Sequence, residues 1–145
     1  MKRVPTILIV EDSESTRALC RDAFGLHGFK VVLRENADGL FSREVSIIAP
    51  DIISMDLMMG KDGGATEKDG FEALQELKAD PLTHDIPVIV LTSFFEEGKV
   101  RRARELGAVD FISSAGQSMQ KIPEHYLRYL KDPKRYMPSH PIFRE

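Results

Sequence analysis

The sequence predicts an α/β fold in which a doubly wound parallel sheet carries helices on both faces. Short apolar runs, each too brief for a stable helix, alternate along the chain with segments whose apolar residues recur every three or four positions. Several of the apolar runs end on acidic or hydroxyl side chains. Because the carboxyl ends of parallel strands share one edge of a sheet, these polar side chains are expected to meet there.

The first predicted strand is the apolar run from Ile7 to Val10, which ends in the acids Glu11 and Asp12. Ser13 follows and is suited to cap a helix. That helix is predicted to run from about residue 14 to residue 27, with its apolar side at three- and four-residue spacing. The acid pair is therefore expected to lie between a strand and a helix start.

The third predicted strand organises the rest of the chain. The second strand, residues 29–33, comes before it, and Asn36 is predicted to cap a helix that stops close to Pro50. The mostly apolar run from Pro50 to Met59 then reads as a buried strand that delivers Asp56 to the sheet edge. A lone aspartate at a strand end is commonly a turn former, so its importance depends on what neighbouring strands bring.

The second half of the chain repeats the alternation of helix and strand. A polar, glycine-rich loop over residues 60–70 separates the third strand from the next helix. The remaining predicted elements are a helix from Phe71 that has ended by Asp80, a strand over residues 87–91 that closes on Thr92, a helix over 96–106, a strand over 109–112, and a helix over about 117–130. If the strand order is 2-1-3-4-5, Glu11, Asp12, Asp56 and Thr92 converge.

Composition indicates one cytoplasmic domain. A chain of 145 residues is long enough to bury a core without metal or disulfide support, and its single cysteine, Cys20, suits a reducing compartment. The formal charge of -3, with both signs interspersed, favours neither a nucleic-acid partner nor a membrane partner. No signal peptide or membrane-spanning run is expected.

Five segments taken together resemble the receiver domain of two-component response regulators. They are Ile7–Asp12, Pro50–Met59, Asp69–Phe71, Ile86–Ser93 and Gly107–Ile112. The resemblance covers about residues 5–131. It implies a flavodoxin-like five-stranded parallel sheet in the order 2-1-3-4-5, with residues 1–131 as the receiver domain and residues 132–145 as a proline-rich C-terminal tail or linker.

The resemblance also implies a role for each candidate site residue. Asp56 matches the phosphoryl-accepting aspartate, Glu11 and Asp12 the metal-binding acidic pair, Thr92 the switch hydroxyl, and Phe111 the aromatic switch. Three close carboxylates repel one another, and a hard divalent cation with oxygen ligands keeps them ionised, so Mg2+ is the expected cofactor.

The expected Mg2+ ligands are Asp12 and Asp56 directly, the backbone carbonyl of Met58 as a third ligand, and Glu11 through water. Phosphorylated Asp56 is then expected to draw Thr92 toward it, which makes room for Phe111 to turn inward. The output is a population shift between two packings of the last helix and the fifth strand.

One departure from the family pattern lies after the fifth strand. Ser114 stands at the usual lysine position and Ala115 at the usual proline position. A hydrogen bond to a charged group contributes roughly 1.5 to 3 kcal/mol, whereas a divalent metal contributes several kcal/mol. Phosphorylation is therefore expected to survive, while coupling of the phosphoryl group to the fifth strand is expected to weaken.

A second departure is the glycine-rich loop, which places about six extra residues before Asp69. A surface insertion is the expected explanation. The sharper hypothesis is that Lys61 or Lys68 folds over the pocket and replaces the missing ammonium group.

The sequence thus predicts a stand-alone response regulator receiver in a phosphorelay, phosphorylated on Asp56 with Mg2+ and signalling through protein contacts. Expected partners are a histidine kinase or phosphotransfer protein and a downstream protein target, with homodimerisation through the fourth helix, fifth strand and fifth helix as a further option. No enzyme activity is expected beyond self-phosphorylation and autodephosphorylation at Asp56. The alternative is a degenerate receiver that serves as a phosphorylation-independent binding or dimerisation module, which Ser114 favours.

Overall fold

Five parallel strands form one sheet in the order β2-β1-β3-β4-β5 in the computed structural model, which describes residues 3–59, 66–93 and 95–145. The strands are Thr6–Val10 (β1), Lys30–Arg34 (β2), Ile52–Met55 (β3), Val88–Thr92 (β4) and Asp110–Ser113 (β5). The helices are Glu14–Leu26 (α1), Phe41–Ile48 (α2), Gly70–Ala79 (α3), Glu97–Glu105 (α4) and Ile122–Lys131 (α5). The predicted flavodoxin-like fold class and strand order are confirmed.

The strand order places a crevice between β1 and β3. From β1 the chain crosses to β2 on one side and then returns to β3 on the other, which makes this pair the switch point of the sheet. The register pairs Val10 with Met55, so Glu11 and Asp56 follow paired residues and leave the sheet at the same level.

Alternation along the strands divides the core into two apolar clusters, one on each face of the sheet. In β1, Leu8 and Val10 belong to the cluster that includes residues of α2, α3 and α4, whereas Ile7 and Ile9 belong to the cluster that includes residues of α1 and α5. Successive strand side chains point to opposite faces and both faces are covered, which explains why the buried strands are mostly apolar.

Two helix starts differ from the sequence prediction. The second helix begins at Phe41, because the side chain of Asn36 accepts a hydrogen bond from the Asp38 amide at 3.0 Å and forms a local turn instead of a cap. The last helix begins at Ile122 instead of near residue 117, with Pro123 in its first turn. Proline fits a first turn because it lacks the N–H that would be unsatisfied there.

Residues 132–145 fold back against the sheet and α4. The fully buried carboxylate of Asp110 accepts hydrogen bonds from the Tyr136 hydroxyl, from the Ser139 amide at 2.8 Å and from the His140 amide at 3.2 Å. Ile142, in a 3₁₀ turn, joins the same core cluster as the inner face of α4. This segment is therefore tied to the fold by both polar and apolar contacts.

Within the described ranges, no helix combines the length and the apolar character that a bilayer crossing requires.

Candidate functional site

Three acidic side chains meet at the carboxyl ends of β1 and β3. Glu11, Asp12 and Asp56 each offer a carboxylate oxygen, and these atoms all lie within 4.8 Å of one another. The backbone holds this arrangement through a hydrogen bond of 3.0 Å from the Asp56 amide to the Val10 carbonyl. The predicted convergence of Glu11, Asp12 and Asp56 is therefore observed in the structure.

Asp56 lies at the bottom of this cluster and exposes only 2 % of its surface. Its Oδ1 accepts a hydrogen bond from the Met58 amide at 3.1 Å, which orients the carboxylate. Asp56 is therefore the most buried of the three carboxylates.

The acid pair is fixed by α1. The Ser13 amide donates to Glu11 Oε2 at 2.9 Å. The Arg17 guanidinium donates from Nη1 to the backbone carbonyls of Glu11 and Asp12, at 2.7 and 3.0 Å. These bonds hold the two acids against the strand end while leaving the arginine charge on their backbone side.

Burial and the neighbouring negative charge weaken the ionisation of Glu11. The pKa of Glu11 is raised from about 4.5 to about 8, first by burial of the carboxyl and then by the negative charge of Asp56. A cation bound among the carboxylates would reverse both effects, because it favours the ionised forms.

The donor set fits a divalent cation. All three side chains present hard oxygen atoms, and Mg2+ is bound in proteins by one or two carboxylates together with water and substrate oxygens. Oxygen atoms within 4.8 Å of one another are close enough to surround one ion.

Thr92, at the end of β4, and Ser114, directly after β5, lie beside Glu11. Together with Glu11 they line a cavity of about 160 Å³. The Ser114 amide donates to the Thr92 carbonyl at 2.9 Å, which holds the end of β5 beside the end of β4. Two residues with hydroxyl side chains thus line the same cavity as Glu11.

Phe111 is buried in the core cluster that also contains residues of α4. Its ring centroid lies 6.4 Å from that of His140, in an edge-on arrangement. The predicted aromatic switch position therefore points inward and contacts the C-terminal segment.

The hypothesis that Lys68 covers the pocket is wrong. Its Nζ donates to the Gly39 carbonyl at 2.8 Å and pairs with Glu76 Oε1 at 2.5 Å, so the ammonium group is held against α3 and the segment before α2. Lys61, the other lysine of that hypothesis, lies outside the described residues.

Two residues near the site were not identified from the sequence as part of it. Gly70 begins α3 so close to the strand end that a Cβ there would lie 2.4 Å from the Asp56 carbonyl oxygen. Lys99, on the helix after β4, has its Nζ 3.4 Å from Met58 Sδ. Its position early in the helix after β4 was the available signal.

The sequence of this chain matches a known protein family. Residues 7–121 match the family described as the response regulator receiver domain. The phosphate regulon transcriptional regulatory protein PhoB of Pseudomonas aeruginosa is 34% identical over 108 residues, which are 74% of this chain and 44% of that protein. A protein-glutamate methylesterase/protein-glutamine glutaminase of Dechloromonas aromatica is 29% identical over 135 residues, 88% of this chain and 36% of that protein.

A solved structure shares both fold and sequence. The signal receiver domain of a signal transduction histidine kinase from Syntrophus aciditrophicus superposes with a TM-score of 0.69 at 30% identity, covering 94% of this chain and 96% of that chain. By contrast, the chain spans about two fifths of the length of the two curated relatives described above, at 44% and 36%.

Proposed function

Because this chain belongs to the response regulator receiver domain family of two-component signalling, we propose that Asp56 is its phosphoryl acceptor. The observation that carries the proposal is the meeting of Glu11, Asp12 and Asp56 within 4.8 Å at the switch point of the sheet. Receiver domains are signalling modules, and the expected chemistry is confined to addition and loss of the phosphoryl group.

In the proposed reaction a carboxylate oxygen of Asp56 attacks the phosphorus atom of the donor. The phosphorus–nitrogen bond of a phosphohistidine breaks, and the imidazole nitrogen keeps its electron pair. With acetyl phosphate the phosphorus–oxygen bond breaks and acetate leaves. The product is an acyl phosphate on Asp56. The hydrogen bond from the Met58 amide supports this role, because it orients the attacking group.

Mg2+ is the proposed cofactor. Asp12, Asp56 and the backbone carbonyl of Met58 would hold the ion directly, with Glu11 acting through water. The ion supplies positive charge against the oxygens of the transferring phosphoryl group. The close set of hard carboxylate oxygens supports this assignment.

Thr92 and Phe111 are proposed to carry the signal from the site. Thr92 lines the cavity that Glu11 also lines, and its hydroxyl would donate a hydrogen bond to an added phosphoryl group. Movement of Thr92 would change the packing space around Phe111, which lies on the neighbouring strand. Ser114 lines the same cavity with a neutral hydroxyl in place of an ammonium group.

The proposed partners follow from this chemistry. A histidine kinase or phosphotransfer protein would donate the phosphoryl group, and a downstream protein would bind the surface formed by α4, β5 and α5. Homodimerisation through that same surface is the alternative contact. We assign residues 1–131 to the receiver domain and residues 132–145 to a C-terminal segment that packs against it.

The test is phosphorylation of the purified protein with Mg2+ and phosphoramidate, followed by intact mass measurement. The wild-type protein is expected to gain one phosphoryl group, and Asp56→Asn is expected to gain none. Asp85→Asn is the matched control, because the Asp85 side chain is 92% exposed and its ion pair is with its neighbour His84. Labelling that persists in Asp56→Asn would exclude Asp56 as the acceptor.

A degenerate receiver is the second candidate function, and two observations favour it. Ser114 removes the cation expected after β5, and Asp56 is 2 % exposed. On this interpretation the wild-type protein stays unlabelled by phosphoramidate with Mg2+, and it binds its partner equally well as Asp56→Asn. Labelling of the wild type at Asp56 would eliminate this candidate.

A further inference from the structure

We propose that Lys99 on α4 binds the phosphoryl group on Asp56 and supplies the positive charge that Ser114 does not. This inference deepens the proposed function and depends on it. The group transferred is a phosphoryl dianion, and the contact would be an ion pair between the Lys99 ammonium and a phosphoryl oxygen.

The charge balance of the site creates the need for such a cation. Phosphorylation adds negative charge to a cluster that already contains three carboxylates, and a divalent ion neutralises two charges. Ser114, which lines the cavity on the β5 side, offers a hydroxyl and no charge. A further cation beside Asp56 would stabilise the phosphorylated state more than the unphosphorylated state.

The geometry places Lys99 at the segment that orients Asp56. Lys99 Nζ lies 3.4 Å from Met58 Sδ, and the Met58 amide donates to Asp56 Oδ1 at 3.1 Å. Lys99 and Met58 line a cavity of about 420 Å³. This cavity adjoins the residues that follow Asp56, whereas Ser114 and Thr92 line the smaller cavity beside Glu11.

Neighbouring cations are engaged elsewhere. Arg102, which shares the larger cavity, has its guanidinium 4.4 Å from the centroid of the Phe71 ring. Arg17 donates to the backbone carbonyls of the acid pair. Lys68 is held by Glu76 and the Gly39 carbonyl. Lys99 differs from these three side chains, because its ammonium group contacts Met58, whose amide donates a hydrogen bond to Asp56.

Lys99 is also able to move toward a new anion. Its ammonium lies 3.5 Å from Glu96 Oε2, and the two side chains are 29% and 59% exposed. Ion pairs in such solvent-screened positions contribute little to stability, so a phosphoryl dianion competes well for the same ammonium. The flexible four-carbon stem of lysine permits the change of partner.

The test compares Lys99→Gln with the wild type. Glutamine keeps much of the length of the side chain but removes its charge. The rate of Asp56 labelling by phosphoramidate at fixed Mg2+ is expected to fall about tenfold to hundredfold, the range that one charged hydrogen bond supplies. Lys99→Arg is expected to retain most of the rate. Arg101→Gln, which removes a charge on the same helix that pairs with Glu97, is expected to leave the rate unchanged.

A rescue experiment tests the charge directly. Ser114→Lys in the Lys99→Gln background is expected to restore labelling, because it returns an ammonium group to the opposite side of the site. Mg2+ binding to the unphosphorylated protein, measured by calorimetry, is expected to be as tight in Lys99→Gln as in the wild type or tighter, since a nearby positive charge is lost.

The outcomes separate this inference from the proposed function. If the wild type is labelled at Asp56 and Lys99→Gln is labelled at the same rate, the Lys99 assignment is overturned while the acceptor assignment stands. Absence of labelling in the wild type overturns both. Weaker Mg2+ binding in Lys99→Gln would also overturn the assignment, because it would trace the effect to a damaged metal site.

Discussion

At the scale of single residues, the carboxylates of Glu11, Asp12 and Asp56 lie close enough to repel one another, and a bound cation would offset this repulsion. Glu11 and Asp56 lie within a cluster of carboxylates 4.8 Å across, and burial denies them the screening of water. Folding therefore opposes ionisation of Glu11, whose pKa is raised to about 8. The same arrangement makes the cluster a strong candidate for binding a divalent ion.

This repulsion predicts that the metal-free protein loses stability as the pH rises. Between about pH 4.5 and pH 8 the unfolded chain is ionised at Glu11 while the folded chain keeps the proton. The folded state then binds more protons, so the free energy of unfolding falls with rising pH across this window and levels off above it. Glu11→Gln removes this loss, so its stability relative to the wild type is expected to increase with pH.

Urea unfolding in EDTA at several pH values measures this effect. Glu97→Gln, a neutralised glutamate that is 68% exposed in the wild type, is the control and is expected to follow the wild-type slope. Mg2+ is expected to stabilise the wild type at pH 8, because it binds the folded state alone. If the free energy of unfolding of Glu11→Gln and of the wild type changed in parallel with pH, the raised pKa of Glu11 would be contradicted.

At the scale of secondary-structure elements, the start of α3 is fitted against the end of β3. Asp69 and Glu72 form a reciprocal capping box that fixes the first turn of the helix. At Gly70 the helix backbone approaches the backbone of Asp56 and Leu57 so closely that a Cβ would lie 2.4 and 2.6 Å from their atoms. Glycine is required there by close approach, and the position of the helix is thereby coupled to the position of Asp56.

Gly70→Ala is therefore expected to displace the backbone that carries Asp56. Overpacking of this kind costs about 1 to 3 kcal/mol in the free energy of unfolding. The rate of Asp56 labelling is expected to fall as well, because the carboxylate moves relative to the acid pair. Urea unfolding and mass-detected labelling measure the two effects.

Gly25→Ala is the matched control, since a Cβ at this position of α1 meets nothing within 4 Å. It is expected to stabilise the protein by about 0.5 to 1 kcal/mol through helix propensity, without affecting labelling. Equal behaviour of the two alanine variants would show that the contact at Gly70 does not constrain the site.

At the scale of the whole molecule, the C-terminal segment completes the fold around β5 and α4. The Asp110 carboxylate at the start of β5 is buried, and Tyr136, Ser139 and His140 donate hydrogen bonds to it. Ile142 is 6 % exposed and packs in the core cluster that contains Phe111. The segment therefore packs in the same core region as the proposed switch residue.

Tyr136→Phe is expected to lower the free energy of unfolding by about 1 to 3 kcal/mol, because it removes a donor from a buried carboxylate. The loss is expected to be greater than for Met137→Ala, whose side chain is 67% exposed in the wild type and whose removal changes little. Urea unfolding measures both variants. A Tyr136→Phe variant as stable as the Met137→Ala control would show that this segment adds no stability through Asp110.

Much of the fold follows from local sequence signals, and the errors have local causes. Continuous apolar runs located all five strands to within about two residues at most ends, since buried parallel strands are apolar on both faces. Asn36 was assigned as a helix cap, but the same amide side chain also forms local turns, and only packing of Phe41 decides between them. The start of α5 was placed too early, since the helix begins at Ile122 with Pro123 in its first turn.

The sequence by itself determined the fold class, the strand order by resemblance, and the identity of the three converging carboxylates. The fold class and the carboxylates depend on periodicity and on residues at strand ends, which are properties of short segments, whereas the strand order is what the resemblance implies. The tertiary structure alone decided the burial of Asp56, the close approach of Gly70, the position of Lys99 beside Met58 and the docking of residues 132–145. These depend on contacts between elements distant in the chain, and their distances are set by how whole helices pack on the sheet.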